Sequence, residues 1–359
     1  MQTGQQQTHG QGARQQLQKL GHVLSLAAPL RPCEAQVHKS YHWPMALSSQ
    51  NVGRLSAVVT VLLWTSFIIV GRASSSHVLL PLDIACSRIL GASMVLLPWA
   101  WWMMREQRQR GEAVGSLLGL SPLPLRHTVQ AGFLGGLMFA LLAYAGFFFA
   151  PAAHASVLMP GSLPLWTTLL MWLFLREQIG VNRAIGLGFI LMGDVLVGGA
   201  SLFKAFEGGD VWMGDLMFVC ASISWSAYSV TVRKFGLDAA RATMAITAFA
   251  LVSFVPLFTL LVQLNVMPSH FAQASWSEIL LQVAFQGVGS VAISGISFTQ
   301  MIRSFGPVKS TMITALVPGL SALGAVIILG EPMSWNLMVG LALVTCGILF
   351  GVRQALVKS

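Results

Sequence analysis

The chain is predicted to be an all-α integral membrane protein, with ten transmembrane helices arranged as two inverted five-helix repeats. Composition is the first reason. Of 359 residues, 55% are hydrophobic and 9% charged, against about 25% charged in soluble domains. The 21 Lys and Arg and 12 Asp and Glu are too few to cover a water-facing surface. Charge placement is the second reason, because basic residues collect on alternate loops. The third is a segment near the middle of the chain whose pattern returns, in register, close to its end.

The elements follow in order. Residues 1–50 open on "MQTGQQQTHGQGARQQLQK", a Gln-rich stretch with no apolar period, expected to be a disordered extension. "LGHVLSLAAPL" is too short and too weakly flanked for a span or a signal peptide. Met45 begins "MALSSQNVGRLSAVV", which runs straight into apolar sequence, so the functional chain is expected to start near there rather than at Met1. A hydrocarbon layer of about 30 Å needs roughly 20 apolar residues per helix. That ruler places spans at 55–72, 82–102, 129–149, 154–175, 182–200, 212–232, 241–264, 278–300, 305–329 and 335–352. Pro151, within "FFFAPAAHAS", separates the third from the fourth. Residues 353–359 form a short C-terminal tail.

With the N-terminus inside, 18 of the 21 Lys and Arg fall on or near the cytoplasmic side, leaving Arg72, Arg88 and Lys204 outside. The positive-inside rule gives this bias for one orientation and blurs for a wrong count. Both termini are therefore expected to be cytoplasmic. Trp99, Trp101 and Trp102 suit an interfacial belt ahead of a basic loop.

The repeat is explicit. Ser156, Pro164, Leu175, Glu177, Gly186 and Gly193 recur as Ser310, Pro318, Leu329, Glu331, Gly340 and Gly347 at one constant offset. "WTSFIIVGR" places Trp64, Phe67 and Arg72 as "WSAYSVTVR" places Trp225, Tyr228 and Arg233. The halves are 55–200 and 212–352. Five is odd, so the second copy enters the membrane from the opposite side. Inverted repeats of this kind can form two nearly equal packings about one central site, the physical logic of a secondary transporter. Spaced glycines in "AGFLGG", "GLG" and "GVGS" allow close helix approach.

Motifs for other chemistry are missing. There is no GxGxxG, P-loop or HExxH, so no catalytic residue, cofactor or metal is expected. Cys86, Cys220 and Cys346 lie in apolar sequence, and with Cys33 they make no CxxC. The net charge of +9 is dispersed, which argues against a nucleic-acid partner. Ionisable groups in hydrocarbon are costly and functional by default. Asp194 is the deepest acid and the candidate for ion coupling or substrate contact. Asp83 and Arg88 are placed at the outer rim, either meeting the substrate's charged ends or pairing with each other. His154 is placed at an outer helix end, as a packing residue or a proton carrier. Glu177 and Glu331, at mirrored helix ends, are expected to hold backbone N–H groups at the start of the following helix. For the pocket, the polar and aromatic positions inside spans are Trp64, Phe67, Tyr144, Phe148, Trp225, Tyr228, Ser294, Phe298 and Gln300. Aromatic walls with a few polar tips suit a small amphipathic solute.

"ASVLMPGSLPLWTTLLMWLFLREQIGVNRAIGLGFILMGDVLV" at 155–197 and "GPVKSTMITALVPGLSALGAVIILGEPMSWNLMVGLALVTCGILF" at 306–350 together resemble the EamA-type drug/metabolite transporters. In both, an apolar run ends in Glu and is followed by a helix with spaced glycines. The resemblance covers nearly all of 55–352. It implies a ten-helix carrier of the bacterial inner membrane that exports or exchanges amino acids or related metabolites, with substrate held between the halves. The long polar N-terminal extension departs from that pattern. At this level other classes remain open: a multidrug or cation efflux carrier, a membrane enzyme acting on lipid-linked substrates, or a transport-inactive membrane partner. Proton coupling is a candidate feature, and two symmetric halves suit a monomer or a dimer.

Overall fold

The computed structural model describes residues 49–111, 115–205, 209–314 and 316–357. The expected disorder of the N-terminal extension and the start near Met45 lie outside these residues. Within them the chain is helical and no β-strand occurs. Lipid supplies no partners for backbone N–H and C=O groups, so an apolar chain of this composition satisfies them within helices.

We number the helices α1 (Ser49–Ser74), α2 (Pro81–Gln109), α3 (Leu125–Phe149), α4 (Ala152–Leu175), α5 (Val181–Ala205), α6 (Val211–Phe235), α7 (Ala239–Gln263), α8 (Trp276–Thr314), α9 (Leu316–Leu329) and α10 (Trp335–Val357). Wider π-helical turns interrupt three of them, at Gly132–Met138 in α3, Val157–Gly161 in α4 and Gln282–Ile293 in α8. Among the described residues eight helices, α1 to α8, are long and apolar enough to cross a membrane. The apolar parts of α9 and α10 are shorter, Leu316–Leu329 and Trp335–Phe350.

Two boundaries differ from expectation. Helix continues through 300–305, where a break was expected. Helix α10 also runs on to Val357, into the expected tail.

The recurring sequence positions have matching local structure. Helix α4 ends at Leu175 and α9 at Leu329. The next residue in each case, Arg176 or Gly330, is left-handed, with φ of 55° and 68°. The following glutamate then returns its N–H to the carbonyl six residues back, Glu177 to Met171 and Glu331 to Ala325. A left-handed residue that ends the helix and turns the next N–H back onto its last turn is a common form of helix C-terminus. It explains why a residue able to leave the helix precedes each glutamate.

Packing between the halves exchanges equivalent positions. Helices α5 and α10 lie against each other along their lengths. A Cβ on Gly347 would sit 2.5 Å from Gly186 O, and one on Gly193 would sit 2.7 Å from Gly340 O. Gly186 corresponds to Gly340 in the repeat and Gly193 to Gly347, so each contact is the other with its partners swapped. The same exchange holds for whole helices: α1 packs on α9 and the second part of α8, as α6 packs on α4 and the second part of α3. Helix α2 meets the π-helical part of α8, as α7 meets that of α3.

Candidate functional site

Trp64 and Trp225, in register in the repeat, lie ten residues before the ends of α1 and α6. That is about 15 Å along a helix, half the thickness of a bilayer's hydrocarbon core. Their rings meet edge to face at 6.2 Å. Phe298 of α8 packs 4.8 Å from Trp64, and Phe139 of α3 packs 4.9 Å from Trp225. Beneath this cluster lies a cavity of about 50 Å³, lined by residues of both halves that include Trp64, Phe67, Arg88, Trp225, Ser290 and Ser294. A second cavity of about 40 Å³ shares Arg88, Trp225 and Ser290 and continues past Tyr228 and Phe298. Each has room for a few waters.

Arg88 is the ionisable group of this site. It lies seven residues into α2, about 10 Å along the helix from Pro81, and it is buried. Its guanidinium sits 5.5 Å from the centre of the Phe67 ring and 5.9 Å from that of Tyr144, within cation–π range. One nitrogen, Nη1, donates to Tyr144 Oη and to Ser290 Oγ, both at 3.1 Å. Tyr144 then donates to Gln286 Oε1 at 2.9 Å. Trp64 Nε1 donates to Ser294 Oγ at 3.0 Å. The equivalent nitrogen, Trp225 Nε1, is buried without a partner. No carboxylate lines either cavity among the described residues.

Arg88 therefore does not stand at the outer rim, and it does not pair with Asp83. Asp83 is itself buried, and it accepts from Leu80 N at 3.1 Å, His270 N at 2.9 Å and Ser269 Oγ at 2.7 Å. It ties the start of α2 to the loop before α8. Five residues separate the two side chains, enough for the first to cap the helix while the second enters the bundle.

Beyond the cavities, two ion pairs join the halves. Arg72, at the end of α1, donates from Nε to Glu331 Oε1 at 3.0 Å. Arg233, at the end of α6, donates to Glu177. Each joins the arginine of one half to the glutamate of the other, and the repeat exchanges them. They differ in burial. Glu331 also accepts from Ala152 N at 3.1 Å and Ala153 N at 3.3 Å, while Arg72 Nη1 donates to Phe147 O at 2.8 Å. The N–H groups that Glu331 holds thus belong to α4, not to the following helix as expected. Glu177 is the more open of the two, with 35% of its side chain exposed against 11% for Glu331.

The remaining candidates lie away from the cavities. His154 Nδ1 is 2.9 Å from Asp215 Oδ1, joining α4 to α6. Asp194, on α5, is buried with Oδ1 unbonded and lines neither cavity. Phe148 packs against the core and Gln300 lines neither cavity. Residues the sequence reading passed over include Phe139, Ser222, Gln286 and Ser290. A signal for two of them existed: Gln286, Ser290 and Ser294 stand four apart on one apolar helix, a polar stripe in an apolar surround. Among the described residues no cluster of three or more His, Cys, Asp or Glu could hold a metal.

Residues 51–199 and 212–353 each match the EamA-like transporter family. The chain belongs to that family. Among its relatives, the uncharacterized transporter YyaM of Bacillus subtilis (strain 168) is 25% identical over 226 residues, 62% of this chain and 71% of YyaM. A WAT1-related protein of Arabidopsis thaliana is 23% identical over 290 residues, 73% of this chain and 72% of that protein. A solved crystal structure has the same fold, with a TM-score of 0.54 over 84% of this chain and 98% of its own, at 21% identity. As an EamA-family protein with several helices long and apolar enough to cross a membrane, this chain is a multi-pass membrane transporter.

Proposed function

We propose that this EamA-family protein is a secondary transporter of small metabolites such as amino acids. It exports or exchanges them across the bacterial inner membrane by alternating access between two inverted five-helix repeats, 55–200 and 212–352. All ten helices serve as spans, and both termini are cytoplasmic, in keeping with the distribution of Lys and Arg. The observation that carries this reading is the exchanged pair of ion bridges, Arg72–Glu331 and Arg233–Glu177, on either side of a cavity lined from both halves.

The physical logic is as follows. A contact pattern in which residue i of one half meets residue j of the other, and j meets i, is the signature of two-fold self-complementarity. When the two halves are inverted copies, a rocking motion that loosens one bridge tightens the other, because each conformation is nearly the two-fold image of its alternative. In the present conformation the Arg72 end is closed by a mostly buried glutamate with three donors. The Arg233 end is held by one half-exposed pair. The structure is thus read as open toward the Arg233 side, which the charge distribution makes cytoplasmic. Asp194, a buried carboxylate with one oxygen unbonded, is the proposed site for a coupling proton.

Multidrug cation efflux is the weaker reading, because a cationic substrate would meet the Arg88 guanidinium and no acid in either cavity. The test is counterflow in proteoliposomes with radiolabelled amino acids, with and without a pH gradient. Saturable counterflow of one group is expected. Folded protein that carries none of them would overturn the substrate assignment.

A further inference from the structure

The hydrogen-bonding groups of the central cavity are unbalanced. Arg88 brings five N–H donors and no acceptor, and its bonds to Tyr144 and Ser290 both use Nη1. Its other nitrogens have no hydrogen-bond partner among the described residues. Trp225 Nε1, also a donor only, is buried and unpaired. Ser290 and Ser294 accept through their hydroxyl oxygens, from Arg88 and Trp64. Neither gives its own proton to the carbonyl four residues back, as Ser93, Ser253 and Thr299 do. Four side chains on three helices thus carry donors without a protein acceptor around one small space that, among the described residues, is lined by a single cation and no carboxylate. An unmet buried donor and an unpaired buried charge are both costly; waters in the cavity can meet the donors, but only an acceptor-rich anion also balances the charge.

We infer that this cavity binds its substrate through a carboxylate, held by the Arg88 fork with Trp225 Nε1 and the Ser290 and Ser294 hydroxyls, the apolar body lying against Trp64 and Phe67. This rests on the reading of the cavity as the transport site and narrows it to small organic monoanions and to zwitterions bound by their acid end. A guanidinium matches the two oxygens of a carboxylate in one plane. One cation balances one negative charge, whereas a phosphate monoester carries about −1.5 to −2 at neutral pH. The rings beside Arg88 exclude water and strengthen the pairing.

Equilibrium dialysis of the purified full chain tests this with radiolabelled 3-phenylpropanoate. Its neutral isostere 3-phenylpropanamide and the more highly charged phenylphosphonate serve as competitors. We expect the amide to compete at least about tenfold more weakly than the unlabelled carboxylate, the usual cost of replacing a charge-assisted hydrogen bond by a neutral one. Trp225→Phe removes the indole N–H while keeping an aromatic wall. It should weaken the carboxylate about tenfold and leave the amide unchanged. Arg88→Gln should abolish carboxylate binding, and the ligand series on the unaltered protein does not depend on that variant folding.

An amide that competes as well as the carboxylate overturns the inference, and a phosphonate that competes better overturns its single-charge part. Counterflow with the same solutes separates this from the transport reading. Carriage of the amide without preference for the acid sinks the inference and leaves transport standing. Tight carboxylate binding without flux supports the inference and contradicts transport.

Discussion

Substituting Glu331 by Gln, and separately Glu177 by Gln, makes the same chemical change at equivalent positions in two environments. Glu331 holds the Arg72 guanidinium and the N–H groups of Ala152 and Ala153 at 3.0 to 3.3 Å. Hydrogen bonds to a charged group contribute about 1.5–3 kcal/mol each, and they are not additive. A glutamine oxygen retains part of the set. Arg72 is 32% exposed and regains some hydration. The net loss for Glu331→Gln is therefore about 1.5–3 kcal/mol, a tenfold to hundredfold weaker bias toward the closed Arg72 end. Arg233 and Glu177 are 45% and 35% exposed, and solvent screening reduces their pairing to about 0–1 kcal/mol. Denaturant titration of both variants in detergent micelles, followed by tryptophan fluorescence, reads the difference. Equal losses, or a larger loss for Glu177→Gln, would refute the reasoning that the two bridges are unequally formed in this conformation.

Three further outcomes are expected. Arg176→Gly should stabilise the protein by about 1 kcal/mol, since a non-glycine residue costs about 1–2 kcal/mol in the left-handed region that Gly330 occupies freely at the equivalent site; no rise in the unfolding midpoint would contradict this. Gly287→Ala should cost about 1–3 kcal/mol by forcing backbones apart, because the new Cβ would lie 2.6 Å from Gly91 Cα and 2.7 Å from Ala92 N. Since α2 carries Arg88, ligand affinity should fall with stability, and an unchanged unfolding midpoint would contradict the packing. Asp194→Asn should preserve counterflow and abolish its stimulation by a pH gradient; stimulation that survives would remove Asp194 as the proton site.

The sequence carried the membrane class, the mirrored registers and the aromatic pair because each depends on composition or on constant spacing. Trp64 and Trp225 could be read as equivalent from the aligned segments around them, while the edge-to-face meeting of their rings is seen only in the structure. The partners of Arg72 and Arg233 could not be read in the same way. Register shows that Glu177 and Glu331 are equivalent, while only the crossing of helices decides that each meets the other half's arginine. Arg88 was misplaced for a related reason. A charge seven residues into an apolar helix looks like a rim residue until Tyr144 and Ser290, contributed by α3 and α8, supply its partners. The π-helical turns in α3, α4 and α8 have no signature in apolar sequence, because an extra residue per turn changes which side chains align without changing their chemistry. The polar stripe of Gln286, Ser290 and Ser294 was legible and would have led to the cavity wall.

Alternating access requires one cavity that both faces of the membrane reach in turn. Ser294→Cys, in a chain whose native cysteines are replaced by serine, places a single thiol on its wall. In sealed vesicles of known orientation, a membrane-impermeant maleimide applied from either side should label that thiol, and bound substrate should protect it from both. Labelling from one side alone, in protein that still binds substrate, would contradict alternating access.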